Sequence, residues 1–217
     1  DRSRLKGCCI QGVAAALLAA RLGADVIGLV SEMPSGPGVI PDSLIAGIVA
    51  EAPRGVATVL LTSRRDPAEI IAQQQRCGVN AIQLCDRLPA GSLAALHEAL
   101  PTTWIIQVVH VTDAGAVVEA QEAGRTAQAL LLDSGNPRAA VKELGGTGRT
   151  HDWELSRSIR EAVDVPVLLA GGLDPGNVAE AVARVRPWGV DVCTGVRTDG
   201  RLDEDKLRRF VDALGGR

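Results

Sequence analysis

The chain has 217 residues, 46% apolar and 23% charged, with a formal net charge of −3. Mild acidity, no basic run and only 2% aromatic residues leave neither an electrostatic footprint nor a stacking platform for nucleic acid. No apolar stretch approaches the roughly 18 residues of a membrane-spanning helix, and segment 13–22, broken by Arg21, reads as a buried helix rather than a signal peptide.

Apolar runs of strand length alternate with segments of helical period. In chain order the spacing predicts a strand over 5–10 and a helix over 13–22, then 26–30 with 42–50, 57–61 with 67–76, and 81–84 with 93–100. The second half repeats the pattern: 104–109 with 113–123, 129–133 with 155–163, 167–170 with 177–185, and 189–193 with a closing helix over 204–214. Asp66-Pro67 supplies an N-cap and a first-turn proline, and Asp203 stands before the last helix.

Strands that are apolar throughout are covered on both faces, and strict alternation with helices makes the sheet parallel. Eight such units in a chain of this length predict a compact (β/α)8 barrel, with a doubly wound open sheet as the alternative. No Pro/Gly/Ser-rich linker or charge run divides the chain, so residues 1–217 read as one domain. The five cysteines are an odd number without CxxC spacing, and read as reduced thiols of a cytoplasmic protein.

Barrel chemistry sits where strands end and the following loops begin. That rule selects Cys8 and Cys9, Ser31, Thr62, Cys85 and Asp86, His110, Asp133, Gly171 and Gly172, and Thr194 and Gly195. Gly146-Thr147-Gly148, Gly171-Gly172 and Thr194-Gly195 follow the last three strands. Exposed backbone N–H groups on three consecutive loops predict a phosphate site. Asp133 ends an apolar strand, where desolvation raises a carboxyl pKa and suits a general acid; a structural, ion-paired aspartate is the plain alternative. Lys6 and Cys8 share a strand face, and a lysine beside a thiol favours the thiolate; a small core cysteine is the plain alternative. Cys8, Cys85, Cys193 and His110 ring the same barrel mouth, yet such a scattered set is an improbable zinc site, and no metal or other cofactor is expected. His97 and His151 read as surface or packing residues.

LLLDS, GGTGRTHDW, LLAGGLDPGNV and VDVCTGV occur here in that order. So ordered, they resemble the phosphoribosylanthranilate isomerases of tryptophan biosynthesis, over nearly the whole chain. Lys6-Gly7-Cys8-Cys9-Ile10 is similar to that family's Lys-Ile-Cys-Gly-Ile, and Gln83-Leu84 opens its Gln-Leu-His-Gly. The resemblance implies a (β/α)8 barrel without a cofactor, monomeric or homodimeric. The implied reaction is an Amadori rearrangement of a phosphosugar, with Cys8 as general base and Asp133 as general acid. By motif, Lys6, Gly38, Gln83, Cys85, Asp86 and Asp191 would contact the substrate.

Four departures stand out. Gly38 replaces the arginine associated with the aromatic carboxylate, Cys85-Asp86 replaces His-Gly, Cys9 replaces a glycine, and Arg197 stands where glutamate is frequent. Asp86 would repel a carboxylate, whereas Arg54, Arg64, Arg65 or Arg87 could replace the lost cation. Three readings follow: the standard isomerase, an isomerase for a different N-phosphoribosyl amine, and a non-catalytic phosphosugar-binding barrel.

Overall fold

The computed structural model describes residues 2–215. Eight parallel strands pair in sequence order: β1 (Arg4–Gly7), β2 (Val26–Val30), β3 (Ala57–Thr62), β4 (Ala81–Leu84), β5 (Trp104–His110), β6 (Ala129–Asp133), β7 (Val167–Leu169) and β8 (Gly189–Val192). The helices between and after them are α1 (Val13–Arg21), α2 (Asp42–Glu51), α3 (Pro67–Cys77), α4 (Ser92–Ala99), α5 (Gly115–Ala123), α6 (Trp153–Ala162), α7 (Val178–Val185) and α8 (Glu204–Ala213). β1 pairs with β8, which closes the barrel and rules out the open sheet.

Strand alternation divides the core into two layers. Val59, Leu61, Ile106, Val108 and Leu131 fill the barrel interior. Leu60, Ile82, Ile105, Leu130 and Val190 point outward against the helices. The expected caps form: Asp66 accepts hydrogen bonds from the backbone N–H of Ala68 and Glu69, and Asp203 from Lys206.

Three strands are shorter than the apolar pattern suggests, β7 by a single residue, Ala170. β1 stops at Gly7 because Cys9 takes a left-handed backbone, φ 58°, which turns the chain although Cys8, Cys9 and Ile10 stay buried. A non-glycine residue there costs about 1 kcal/mol. β8 stops at Val192 and gives way to a 3-10 turn, Thr194–Val196. A hairpin of β9 (Arg197–Thr198) and β10 (Arg201–Leu202) follows, unforeseen although its Asp199-Gly200 turn is a strong hairpin signal.

The cysteine reading needs correction. Cys9 and Cys193 form a disulfide with Cα atoms 5.8 Å apart, leaving Cys8, Cys77 and Cys85 free. Barrel closure is the physical reason: it sets the end of β1 beside the end of β8, although the two cysteines are 184 positions apart. A crosslink over so long a loop stabilises by restricting the unfolded chain, by about 2–5 kcal/mol. Urea unfolding with and without dithiothreitol is expected to show a lower midpoint for the reduced protein. An unchanged midpoint would mean that the crosslink does not constrain unfolding.

Candidate active site

The carboxyl ends of the strands open into one cleft. Register explains its floor. Lys6 of β1 lies opposite Asp191 of β8, and its Nζ donates to Asp191 Oδ1 at 2.9 Å. The Lys6 side chain is fully buried. Burial works against its charge, but the Asp191 carboxylate outweighs it and raises the lysine above its ordinary pKa.

Cys8 and Asp133 line this cleft. A Cβ built on Gly28 would lie 3.0 Å from Cys8 Sγ and 3.2 Å from Lys6 Nζ, so thiol and ammonium share one small space. Lys6 nevertheless does not give a thiolate. Burial pushes the Cys8 thiol up to about 11, and the opposing pull of Lys6 and, more weakly, Arg197 only offsets part of it. The sequence expectation of a depressed thiol pKa is thus corrected: desolvation exceeds the ion–dipole and charge benefit. Asp133 follows the expected direction, its carboxyl raised to about 6 by burial. One oxygen accepts the backbone N–H of Ser134 at 2.7 Å. Ser134 Oγ meets His151 Nδ1 at 2.8 Å, and His151 Nε2 meets Ser156 Oγ of α6 at 2.6 Å, so this histidine braces the turn after β6.

The glycine loops line one side of the cleft through Gly146, Thr147, Gly148, Gly171, Gly172 and Thr194. The backbone N–H groups of Gly171 and Gly172 have no acceptor among the described residues. Gly195 sits behind this wall, its Cα packed against the backbone of Leu173, where any side chain would collide. Val30, Met33, Leu61, Leu144 and Ala170 supply the apolar part of the lining. Gln83 and Cys85 line the floor, and the buried Oε1 of Gln83 has no hydrogen-bond partner among the described residues. Over the mouth the loops after β2 and β6 touch, Ser35 Oγ donating to the carbonyl of Lys142 at 2.7 Å.

Three residues expected at the substrate lie elsewhere. Lys6 is sealed beneath the floor. Asp86 turns away from the cleft to Lys142, Oδ2 to Nζ 2.6 Å, so it is not poised to repel a bound carboxylate. Gly38 stands behind Cys9: its φ is +87°, and an added Cβ would come within 2.6 Å of Cys9 Cβ. An arginine therefore does not fit at position 38 in this backbone. Nor do Arg54, Arg64, Arg65 or Arg87 reach the cleft; Arg87, for example, pairs with Glu122 of α5. Among the described residues no cluster of His, Cys, Asp or Glu is placed to hold a metal ion, and Cys193 is occupied by its disulfide.

Sequence reasoning missed Met33, Leu144 and the disulfide. Met33 and Leu144 sit in irregular loops, where no periodicity marks a facing direction. The disulfide was within reach, since closure of eight strands makes the first and last neighbours.

Residues 6–213 match the family model of N-(5'-phosphoribosyl)anthranilate isomerase. The N-(5'-phosphoribosyl)anthranilate isomerase of Methanocella arvoryzae is 35% identical over 213 residues, covering 98% of each chain. Isomerase 2 of Methanosarcina mazei is 37% identical, over 96% of this chain and 92% of its own. Among solved structures, the Thermotoga maritima phosphoribosylanthranilate isomerase superposes with a TM-score of 0.84 at 29% identity, covering 98% of each chain. A phosphoribosylanthranilate isomerase bound to reduced 1-(o-carboxyphenylamino)-1-deoxyribulose 5-phosphate superposes with a TM-score of 0.82 at 27% identity, again over 98% of each. On sequence and on fold, this chain belongs to the N-(5'-phosphoribosyl)anthranilate isomerases, aldose–ketose isomerases of tryptophan biosynthesis.

Proposed function

We propose that the chain converts N-(5-phosphoribosyl)anthranilate to 1-(2-carboxyphenylamino)-1-deoxyribulose 5-phosphate, with Asp133 as general acid and Cys8 as general base. The observation that carries this reading is a desolvated carboxyl and a desolvated thiol facing one cleft above a buried Lys6–Asp191 pair. Asp133 gives its proton to the ribose ring oxygen while the bond from that oxygen to C1 breaks. The nitrogen lone pair forms the C=N bond of an iminium. Cys8 then takes the proton from C2, and the released electron pair makes the C1–C2 double bond of an enolamine. Proton transfer from the C2 hydroxyl and to C1 completes the ketone. The iminium is itself the electron sink, and its positive charge close to Sγ favours the thiolate that burial resists.

The phosphate is assigned to the N–H groups of the three glycine loops, with the aromatic ring on the apolar wall of Met33, Leu61 and Leu144. Asp191 orders Lys6 and offers its second oxygen to a ribose hydroxyl, as does the unpartnered Gln83 Oε1. The reading takes the chain as one catalytic domain working in the cytoplasm as a monomer or homodimer. A related Thermotoga maritima enzyme is described as dimeric and has been made monomeric.

Fluorescence-monitored turnover of N-(5-phosphoribosyl)anthranilate, generated in place from anthranilate and phosphoribosyl pyrophosphate, tests this. Fast signal loss that falls by about 100-fold or more in Cys8→Ala is the expected result. A Cys8→Ala enzyme with normal turnover would remove the base assignment, and a folded wild-type protein that binds but turns over no phosphosugar would leave only a binding barrel. One observation favours a second reading, an isomerase for an N-phosphoribosyl amine lacking a carboxylate: among the described residues none that lines the cleft is basic. A higher kcat/KM with a neutral aryl amine in place of anthranilate would establish it.

A further inference from the structure

We infer that Arg197 is a positioning residue for the reaction, its guanidinium fixing the backbone that carries Cys8. The inference rests on Cys8 as the base. After β1 the chain leaves the sheet through the left-handed Cys9, and after β8 it leaves through Cys193, so carbonyls at both strand ends lose the ladder that would satisfy them. Arg197 takes up three of them. Its Nη2 donates to Cys8 O at 2.9 Å and Cys9 O at 2.6 Å, and its Nη1 donates to Cys193 O at 2.7 Å. A planar fork of fixed geometry suits three carbonyls converging from two strands; a single ammonium does not.

The guanidinium is itself held. Arg197 begins the short β9 strand, and its carbonyl accepts Lys206 Nζ of α8 at 2.7 Å. It does not line the catalytic cleft but a neighbouring groove with Gln11, Gly38 and Arg201, which separates it from a direct role on the substrate. Its position also ties together three of the four departures from the family pattern, Gly38, Cys9 and Arg197 itself. Gly38 gives Cys9 its space, Cys9 is bonded to Cys193, and Arg197 caps the backbone of both half-cystines. Glutamate at 197 would set a carboxylate against three carbonyl oxygens.

Two effects on Cys8 follow. The first is geometric: Sγ is aimed by a main chain whose carbonyl is pinned. The second is electrostatic. The charged or titratable groups acting on Sγ are Lys6 on β1, Asp191 on β8, Cys85 after β4 and Arg197 on β9. Among these, Lys6 and Arg197 favour the thiolate and Asp191 disfavours it.

The test compares Arg197→Met and Arg197→Lys with wild type for kcat, KM and the rate at which iodoacetamide alkylates Cys8 at pH 8, read by peptide mass spectrometry, with Cys8→Ala as the turnover control. Arg197→Met is expected to lower kcat about 10- to 100-fold and to leave KM within about threefold. It should slow alkylation of Cys8 several-fold, since the thiolate fraction falls. Arg197→Lys keeps the charge but not the fork, so its alkylation rate stays near wild type while kcat falls several-fold. A merely structural role predicts the opposite sign for alkylation, because a loosened strand end exposes Cys8 and speeds the reaction. Faster alkylation in Arg197→Met, or full kcat in Arg197→Lys, overturns the inference; if Arg197→Met does not fold, the lysine variant alone decides. Normal turnover in Cys8→Ala would instead remove the base assignment on which it rests, whereas an inactive Cys8→Ala beside a fully active Arg197→Met removes Arg197 alone.

Discussion

Asp133→Asn is expected to abolish nearly all turnover while making the protein more stable at neutral pH. Loss of a general acid lowers kcat by about 10²–10⁴-fold. The stability effect has the opposite sign because the carboxyl is raised to about 6 by burial, above its ordinary 3.8. The folded state therefore holds this proton more tightly than the unfolded chain does. Stability from that preference is complete below the unfolded value and is lost as pH rises through about 6. Above that, the native protein carries a desolvated charge, which asparagine lacks while keeping an oxygen for the Ser134 N–H. Urea unfolding should place the variant near wild type at low pH and up to about 2 kcal/mol above it at pH 8. The kcat/KM profile is the second readout. With a proton needed on Asp133 and absent from Cys8, activity rises with pH to about 6, stays level to about 11, and then falls. In Asp133→Asn the break near 6 should disappear. A variant less stable than wild type at pH 8, or a retained break, contradicts the assignment.

Lys6→Met is the second large effect, and here folding and catalysis fail together. The ammonium is fully buried and its partner, Asp191, nearly so. Removing one member of a buried pair costs about 3–5 kcal/mol, because the other charge stays behind. Asp191 opens onto the cleft, so water can reach it and the lower part of that range applies. The uncompensated carboxylate also acts against Cys8 and Asp133: it disfavours the thiolate and raises the carboxyl further. The double variant Lys6→Met/Asp191→Asn should regain most of the lost stability and none of the lost activity. Equal stability of Lys6→Met and wild type would show that the pair is not closed in solution.

What the sequence makes legible here is facing, and what it hides is depth and partner. The ranges of β2, β4 and β6 agree with the reading; β2 and β6 are bounded by polar residues, Asp25 and Ser31, Gln128 and Ser134. β1 is overrun because Cys8, Cys9 and Ile10 continue the apolar pattern through a turn that only φ reveals. Alternation puts Lys6 on the inner face of β1, but only the register against β8 shows that Asp191 claims it beneath the floor. Asp86 illustrates the same limit from the other side. Its place after β4 is readable, whereas its ion pair spans 56 residues to Lys142, a distance at which no local pattern operates. That glycine loops line the cleft is readable because closely approaching backbone requires missing side chains, a demand written in residue identity itself.

The disulfide also changes what kind of object the barrel is. A (β/α)8 chain has one place where neighbouring strands are not joined by the connection between them, the border of β1 and β8. The Cys9–Cys193 bond crosses that border, so the oxidised backbone runs around the cylinder as a covalent ring. A single proteolytic nick within the ring, for instance in the segment between β6 and α6, would then leave one molecule rather than two. New ends opened at such a nick would be tolerated as well as the original ones, because the old pair is already joined. In the oxidised state the enzyme is a closed band, and where its polypeptide begins matters to the gene more than to the barrel.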